Sequence, residues 1–338
     1  MTHRSAAALP SSRALVCAMV VAAGPARADT PRDTPTAIEV DRDAAPGGRV
    51  GFGFDGGEPV DAWGASLSLG WLERPIQLPA GTFGGGSPAT LPVRRREALS
   101  LGGALAVGDR VVVDAVLRGS HQVGDRLTAA GNPDRLARYV LHDLRLGARI
   151  QLAGDRDRSA ALRGELTLPS GDDAHFAGDA AWTAAWSLIG RATLPHGIVV
   201  AATAGIRLHG AEVAVGDRLV GDELFGALGA AVPLPAIGPL SADRVTISAE
   251  LLAALGDHVG DAAGPSPAEA RIGALVRALP ELTAGVHAGF GLDDQIGAPR
   301  FRALVELAWT PRVTRPAPST PPSPTPSDDD EPDEPDER

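Results

Sequence analysis

Apolar and polar side chains alternate with a period of two along much of the chain between Trp63 and Thr310. The stretch DLRLGARIQLAGDRDRSAALRGELTLPSGDD (143–173) shows the pattern in simple form. Leu144, Leu146, Ala148, Ile150 and Leu152 point one way, while Asp143, Arg145, Arg149 and Gln151 point the other. After the polar break GDRDRS, Leu162, Gly164, Leu166 and Leu168 alternate with Arg163, Glu165 and Thr167. Successive side chains of a strand face opposite sides of a sheet, so this is a hairpin with one apolar and one charged face. What the apolar face meets, a protein core or lipid, is the question the rest of the chain has to answer.

Twelve such segments can be placed, at roughly 63–72, 97–107, 111–119, 139–153, 160–168, 180–194, 197–209, 222–232, 244–255, 267–279, 282–292 and 300–310. Most are long for strands of a water-soluble sheet, which average ~5–6 residues, and match the ~9–11 residues a tilted strand needs to cross a bilayer. The connections GDR (108–110), GDRDRS (154–159), PH (195–196) and PE (280–281) are short, and PLPAIGPLSAD after the eighth segment is longer. Those after the odd-numbered segments are mostly long, such as SHQVGDRLTAAGNPDRLAR and PSGDDAHFAGD. Short turns at one end and long loops at the other are the pattern of an outer-membrane barrel. The expectation is an all-β fold, an antiparallel transmembrane β-barrel of about twelve strands over residues 61–311. Two segments also read as helices. In 266–280, Ser266, Pro267 and Glu269 would make a helix start, and 247–255 is similarly ambiguous. Their lengths and flanking turns favour strands.

Aromatic positions test the reading. The five tryptophans, Trp63, Trp71, Trp182, Trp186 and Trp309, all take the apolar parity. Trp63 and Trp71 are eight residues apart, and Phe301 and Trp309 repeat that spacing. Eight residues span ~26 Å along a strand, or ~20 Å along the membrane normal after tilt. These six aromatics are expected to form the two interfacial girdles. The opposite parity carries Arg145, Arg149, Arg163, Glu165, Arg191, Arg207, Arg271, Arg277, Arg302 and Glu306, interleaved with Gly and Ala. It is expected to line a polar lumen.

Composition changes the picture at the two ends. Arg4 and Arg13 flank a polar start, ALVCAMVVAAG (14–24) is a short apolar run, and Ala26-Arg27-Ala28 is a small-x-small site. Residues 1–28 read as a signal peptide cleaved after Ala28. The single cysteine, Cys17, lies inside it, so the exported chain relies on no disulfide. Residues 29–60 are rich in Gly, Asp and Pro without a periodic run. Residues 312–338 begin as a Pro/Ser/Thr linker and end in DDDEPDEPDER, and such a tail is expected to be disordered. The formal charge is −11, and no basic stripe suits nucleic acid.

Candidate chemistry is thin. Gly171-Asp172-Asp173 with His175, and the acidic tail, lack the spaced ligands of a tight cation site and read as solvated. His142 and Asp143 are adjacent, so on one strand they would face opposite sides. No nucleophile elbow, zinc-protease helix or phosphate-binding glycine loop occurs. No catalytic residue, metal site or cofactor is expected.

Three stretches resemble known barrels. LTLPSGDDAHFAGD (166–179) resembles a strand-end loop of outer-membrane barrel proteins. IGAPRFRALVELAWTP (296–311) resembles the final strand of the N-terminal barrel in OmpA-family proteins of delta-proteobacterial type. The acidic, Pro-rich tail resembles the linker that leads there to a peptidoglycan-binding module. The resemblance implies an even-stranded barrel in the outer membrane of a Gram-negative cell, surrounded by lipid and inserted by the barrel-assembly machinery. No module of that kind follows Trp309 in this sequence, so contact with peptidoglycan or a periplasmic protein would fall to the tail. The expected function is passive passage of small solutes. The alternatives are a structural envelope barrel with a closed lumen and a soluble periplasmic β-protein.

Overall fold

In a computed structural model of the protein, residues 55–57, 62–78, 90–124, 136–155, 157–179, 181–215, 218–236, 244–256, 266–293 and 297–311 are described. Ala28 and the expected signal peptide and acidic tail lie outside them. Fifteen strands are present among these residues. They are β1 (Trp63–Leu78), β2 (Thr90–Val107), β3 (Val111–Val123), β4 (Tyr139–Leu141), β5 (Leu144–Gly154), β6 (Arg158–Leu168), β7 (Thr183–Thr193), β8 (Val199–His209), β9 (Val213–Val215), β10 (Arg218–Val220), β11 (Glu223–Pro233), β12 (Val245–Gly256), β13 (Ala268–Arg277), β14 (Leu282–Gly291) and β15 (Phe301–Trp309).

Twelve of these form one closed antiparallel barrel. Each long strand pairs with the next in sequence, β4 extends the wall beside β3, and β9–β10 is a separate small hairpin in the β8–β11 loop. The first and last strands close the ring, from Ala65 opposite Trp309 to Glu73 opposite Phe301. Closure pairs every wall strand on both sides, which is what lets a sheet stand in lipid without an open edge. Both ambiguous segments are strands, β12 and β13, paired over Val245–Ala253.

The structure departs from the periodicity at three places. The first hairpin is taller than expected, because ERPIQL continues β1 and TLPVRRR begins β2. Arg74 and Pro75 interrupt the pattern there: the register shifts between Glu73 and Ile76, and Arg74 has φ +50°. A bulge thus carries the strand on after the alternation has slipped. The fourth segment is broken rather than continuous, with His142 and Asp143 lying between β4 and β5. Because of that break both residues are buried, which corrects the expectation that they face opposite sides. The third departure is β9–β10, three residues each, inside a stretch read as plain loop.

Alternation sets the two faces of the wall. On β5, Arg145, Gly147 and Arg149 are buried and Leu146 and Leu152 are exposed. The exposed set around the ring includes Leu69, Leu101, Leu117, Leu188, Ile206, Leu228, Leu251, Ile272, Val286 and Val305. A water-soluble monomer rarely exposes a contiguous apolar patch beyond a few hundred Å². Here a belt of Leu, Ile and Val runs round the whole barrel, while the buried face holds arginines and acids. This is the reverse of a soluble β-sandwich.

Candidate functional site

The interior is built from charged chains laid across small residues. Asp114 on β3 and Arg163 on β6 are two strands apart. They meet because Gly147 on β5, opposite both Asp114 and Glu165, leaves the space between them empty. Arg163 donates from Nη1 and Nη2 to the two Asp114 carboxylate oxygens at 2.6 and 2.9 Å, and from Nη2 to Glu165 at 3.1 Å. A Cβ at Gly147 would overlap both partners. On the opposite wall Glu269 is clasped by two arginines. Arg271 donates to it from Nε (2.8 Å) and Nη2 (3.2 Å), and Arg302 from Nε (2.9 Å) and Nη2 (3.2 Å). Gly289 lies beneath that carboxylate and Gly273 beneath the His287 ring. His287 Nε2 is 3.3 Å from Glu306 Oε1. The inward glycines therefore do not simply widen the lumen. Their space is taken up by neighbouring charged side chains, which pairing makes tolerable in a low dielectric.

Of the residues expected in the lumen, Arg145, Arg149, Arg163, Arg271 and Arg302 are buried inside the barrel, and Glu165, Arg191, Arg207, Arg277 and Glu306 are half-buried. Arg207 pairs with Glu223 and lies over the Phe225 ring, its guanidinium 5.1 Å from the ring centre. The two walls differ in charge. Strands β3 and β5–β8 turn in Arg118, Arg145, Arg149, Arg163, Arg191 and Arg207 against Asp114 and Glu165. Strands β11–β15 carry Glu223, Glu250, Glu269 and Glu306 against Arg271, Arg277 and Arg302.

Two inward segments escaped the sequence reading. The first is Asp55-Gly56-Gly57, in the stretch that showed no periodicity. Asp55 accepts a hydrogen bond from Arg149 and another, at 3.1 Å, from Arg163 Nη1. Gly57, at φ +75°, stands against Ile189, Ser159 and Arg191, which lie toward the short-turn end of the barrel. No periodic signal could have placed these residues, although an isolated Asp set among glycines fits a chain passing close to other groups.

The second segment is the β6–β7 loop, which turns back into the long-loop mouth. Phe176, at φ +60° and 1% exposed, packs on Ile76 and Val93. Arg96 Nη2 donates to the Phe176 carbonyl (2.5 Å) and to Gln122 Oε1 (2.9 Å), and Gln122 Nε2 donates to the His175 carbonyl (2.8 Å). Asp143 accepts the backbone N–H groups of Gly171 (2.7 Å) and Asp179 (2.6 Å), and His142 Nε2 lies 2.9 Å from Ser120 Oγ. His142 and Asp143 thus serve as anchors for the wall and the loop. His175 Nδ1 lies 2.7 Å from Asp172 Oδ1, and among the described residues no group of three or more His, Cys, Asp or Glu side chains could hold a metal ion.

Of the six aromatics, Trp63, Trp71 and Trp309 are exposed on the outer wall. Trp186 and Phe301 are half-buried on strands, and Trp182 sits just before β7. Trp309 stands two residues along the β1–β15 ladder from Trp63, at the short-turn end, and Phe301 is at the other end of β15, where its ring lies 5.3 Å from that of Phe290. The Arg95 guanidinium covers Trp71 at 5.0 Å. Above this level β1 and β2 run on, Ile76 and Val93 turn inward to Phe176, and Leu78 is buried as well.

The fold defines a class, the closed antiparallel barrel seen in outer-membrane channels and porins. An outer membrane channel from Pseudomonas putida F1 superposes with a TM-score of 0.53 at 15% identity, over 79% of this chain and 99% of that one. The NanC porin matches at a TM-score of 0.47 and 6% identity over 74% of this chain and all of that one. The KdgM porin matches at 0.41 and 10% over 73% and 99%. No family model and no curated relative matches the sequence.

Proposed function

We propose that this protein is an outer-membrane barrel through which small solutes pass by passive diffusion. The observation that carries the reading is the inverted wall: an unbroken apolar belt outside, and inside a charged lining in which arginines dominate one side. A lining of fixed charge filters by size and sign, and it needs neither a catalytic constellation nor an energy source. Trp63, Trp71, Trp309 and Phe301 mark the lipid interfaces in this reading, and bilayer lipid is the first partner. The barrel-assembly machinery would insert it, after export and cleavage behind Ala28. Kinship with OmpA-family barrels rests on the 296–311 stretch and the tail alone. The tail is proposed as the contact to peptidoglycan or a periplasmic protein.

A second reading, a structural envelope barrel with a closed lumen, draws support from the Phe176 loop in one mouth and Asp55 at mid-barrel. Planar-bilayer recording separates the two. Discrete current steps from refolded protein support passage. Silent bilayers, with insertion shown by a heat-dependent change of gel mobility, favour the structural barrel.

A further inference from the structure

We infer that Arg149 and Arg163 form a binding site for the carboxylate group of a solute inside the lumen, and that Asp55 occupies this site as a tethered stand-in. The inference rests on the channel reading and names the class of solute that the lining recognises. The two arginines are direct cross-strand partners of the β5–β6 ladder, and both are buried on the inward face. Like charges placed directly opposite one another destabilise a sheet pair, and each is costly to bury without a counter-charge. Arg163 has Asp114 and Glu165 beside it. Asp55 is the group that joins the pair: one carboxylate oxygen faces Arg149 and the other faces Arg163.

What the pair holds is therefore a carboxylate spread between two guanidinium forks, an arrangement that charge-assisted hydrogen bonds favour. That carboxylate belongs to no wall strand. It comes from the segment before β1, and beside it Gly57 fits closely against Ile189. A solute carboxylate arriving at the same two guanidinium groups would make the same contacts. Arg145 on β5 itself, Arg191 on β7 and Arg207 on β8 add positive potential along its way. A tethered carboxylate competes with a free one for the same two guanidinium groups, so the native site discriminates against weakly binding anions.

The test is isothermal titration of succinate into the full-length protein refolded in detergent, with heat-modifiable gel mobility as the check on folding. D55N should bind succinate roughly tenfold more tightly than the unaltered protein, because the competing tethered carboxylate is gone. R149Q should not bind it measurably. Equal affinity in D55N and the unaltered protein, binding retained in R149Q, or inorganic phosphate bound as well as succinate would each overturn the proposal. Should D55N not refold, the unaltered protein carries the test at higher concentration: succinate must bind where the neutral succinamide does not. The channel reading is judged separately by conductance. Silent bilayers together with intact succinate binding would remove passage and leave the site.

Discussion

Gly289 on β14 lies directly under the Glu269 carboxylate, and a side chain there would run into the oxygen that both Arg271 and Arg302 hold. The glycine is a seat for a three-residue charge cluster. Gly289→Val should break the clasp and cost about 1–3 kcal/mol through overpacking, with a further penalty for the carboxylate it displaces. Gly190→Ala is the control, since a Cβ at Gly190 meets nothing within 4 Å. Urea midpoints in detergent should fall for the first and hold for the second; equal shifts would mean that Gly289 has no such role.

Leu188 on β7 is 62% exposed at the middle of a wall strand, flanked by the buried Ser187 and Ile189. If the belt meets lipid, Leu188→Arg should cost ~2–4 kcal/mol near the bilayer midplane. Reversible folding into phospholipid bilayers measures it. A cost near zero would mean that this face meets water, and the membrane assignment would fall.

The barrel wall was legible because its signal is local. A period of two needs only neighbouring residues, and Leu144 to Leu152 state it without knowledge of what they touch. Loop lengths then ordered the strands, since short and long connections separate the two ends. The Arg74–Pro75 bulge hid six further residues of β1, because a register slip inverts parity and imitates a loop. Asp55 and Phe176 were hidden for a different reason. Each reaches its place through long-range contacts, to Arg149 and Arg163 in one case and to Ile76, Val93 and Arg96 in the other. Neither segment repeats, so nothing in the local pattern distinguishes it from a solvated loop. The glycines under the ion pairs were visible as inward positions, but which side chain leans over which glycine depends on the register.

Asp155 in the β5–β6 turn accepts the backbone N–H groups of Asp157 (2.8 Å) and Arg158 (2.9 Å). These bonds favour the ionised carboxylate and hold its pKa below the ordinary aspartate value. A group whose folded pKa is depressed stabilises the fold above its unfolded value, and that contribution is lost as pH falls through the folded one. The difference in unfolding midpoint between the unaltered protein and Asp155→Ala should be constant from neutral pH to about 5 and shrink below ~4, the ordinary carboxylate range. A difference independent of pH down to acid would show that the turn does not use the charge.

Phe176 is a bulky residue in left-handed backbone, held there by burial against Ile76 and Val93 and by the hydrogen bond from Arg96 to its carbonyl. Left-handed φ costs a non-glycine residue of order 1–3 kcal/mol, so the conformation persists only while the surroundings fix it. Truncation to Ala removes a packing contribution of ~3–5 kcal/mol for a fully buried Phe. Arg96→Leu removes the hydrogen bonds to the loop and to Gln122 while leaving the ring in place. Both changes should release the 169–179 loop from the mouth and leave the twelve-strand wall intact, because the strand pairings on either side of the loop end at Leu168 and begin at Thr183. Limited digestion with proteinase K should then cut within 169–179, with the far-UV spectrum unchanged. If the lumen conducts, both variants should also pass larger currents than the unaltered protein. Continued resistance of the loop in both variants would mean that the Asp143 bonds to Gly171 and Asp179 suffice to hold it, and the Phe176 anchor would be dispensable.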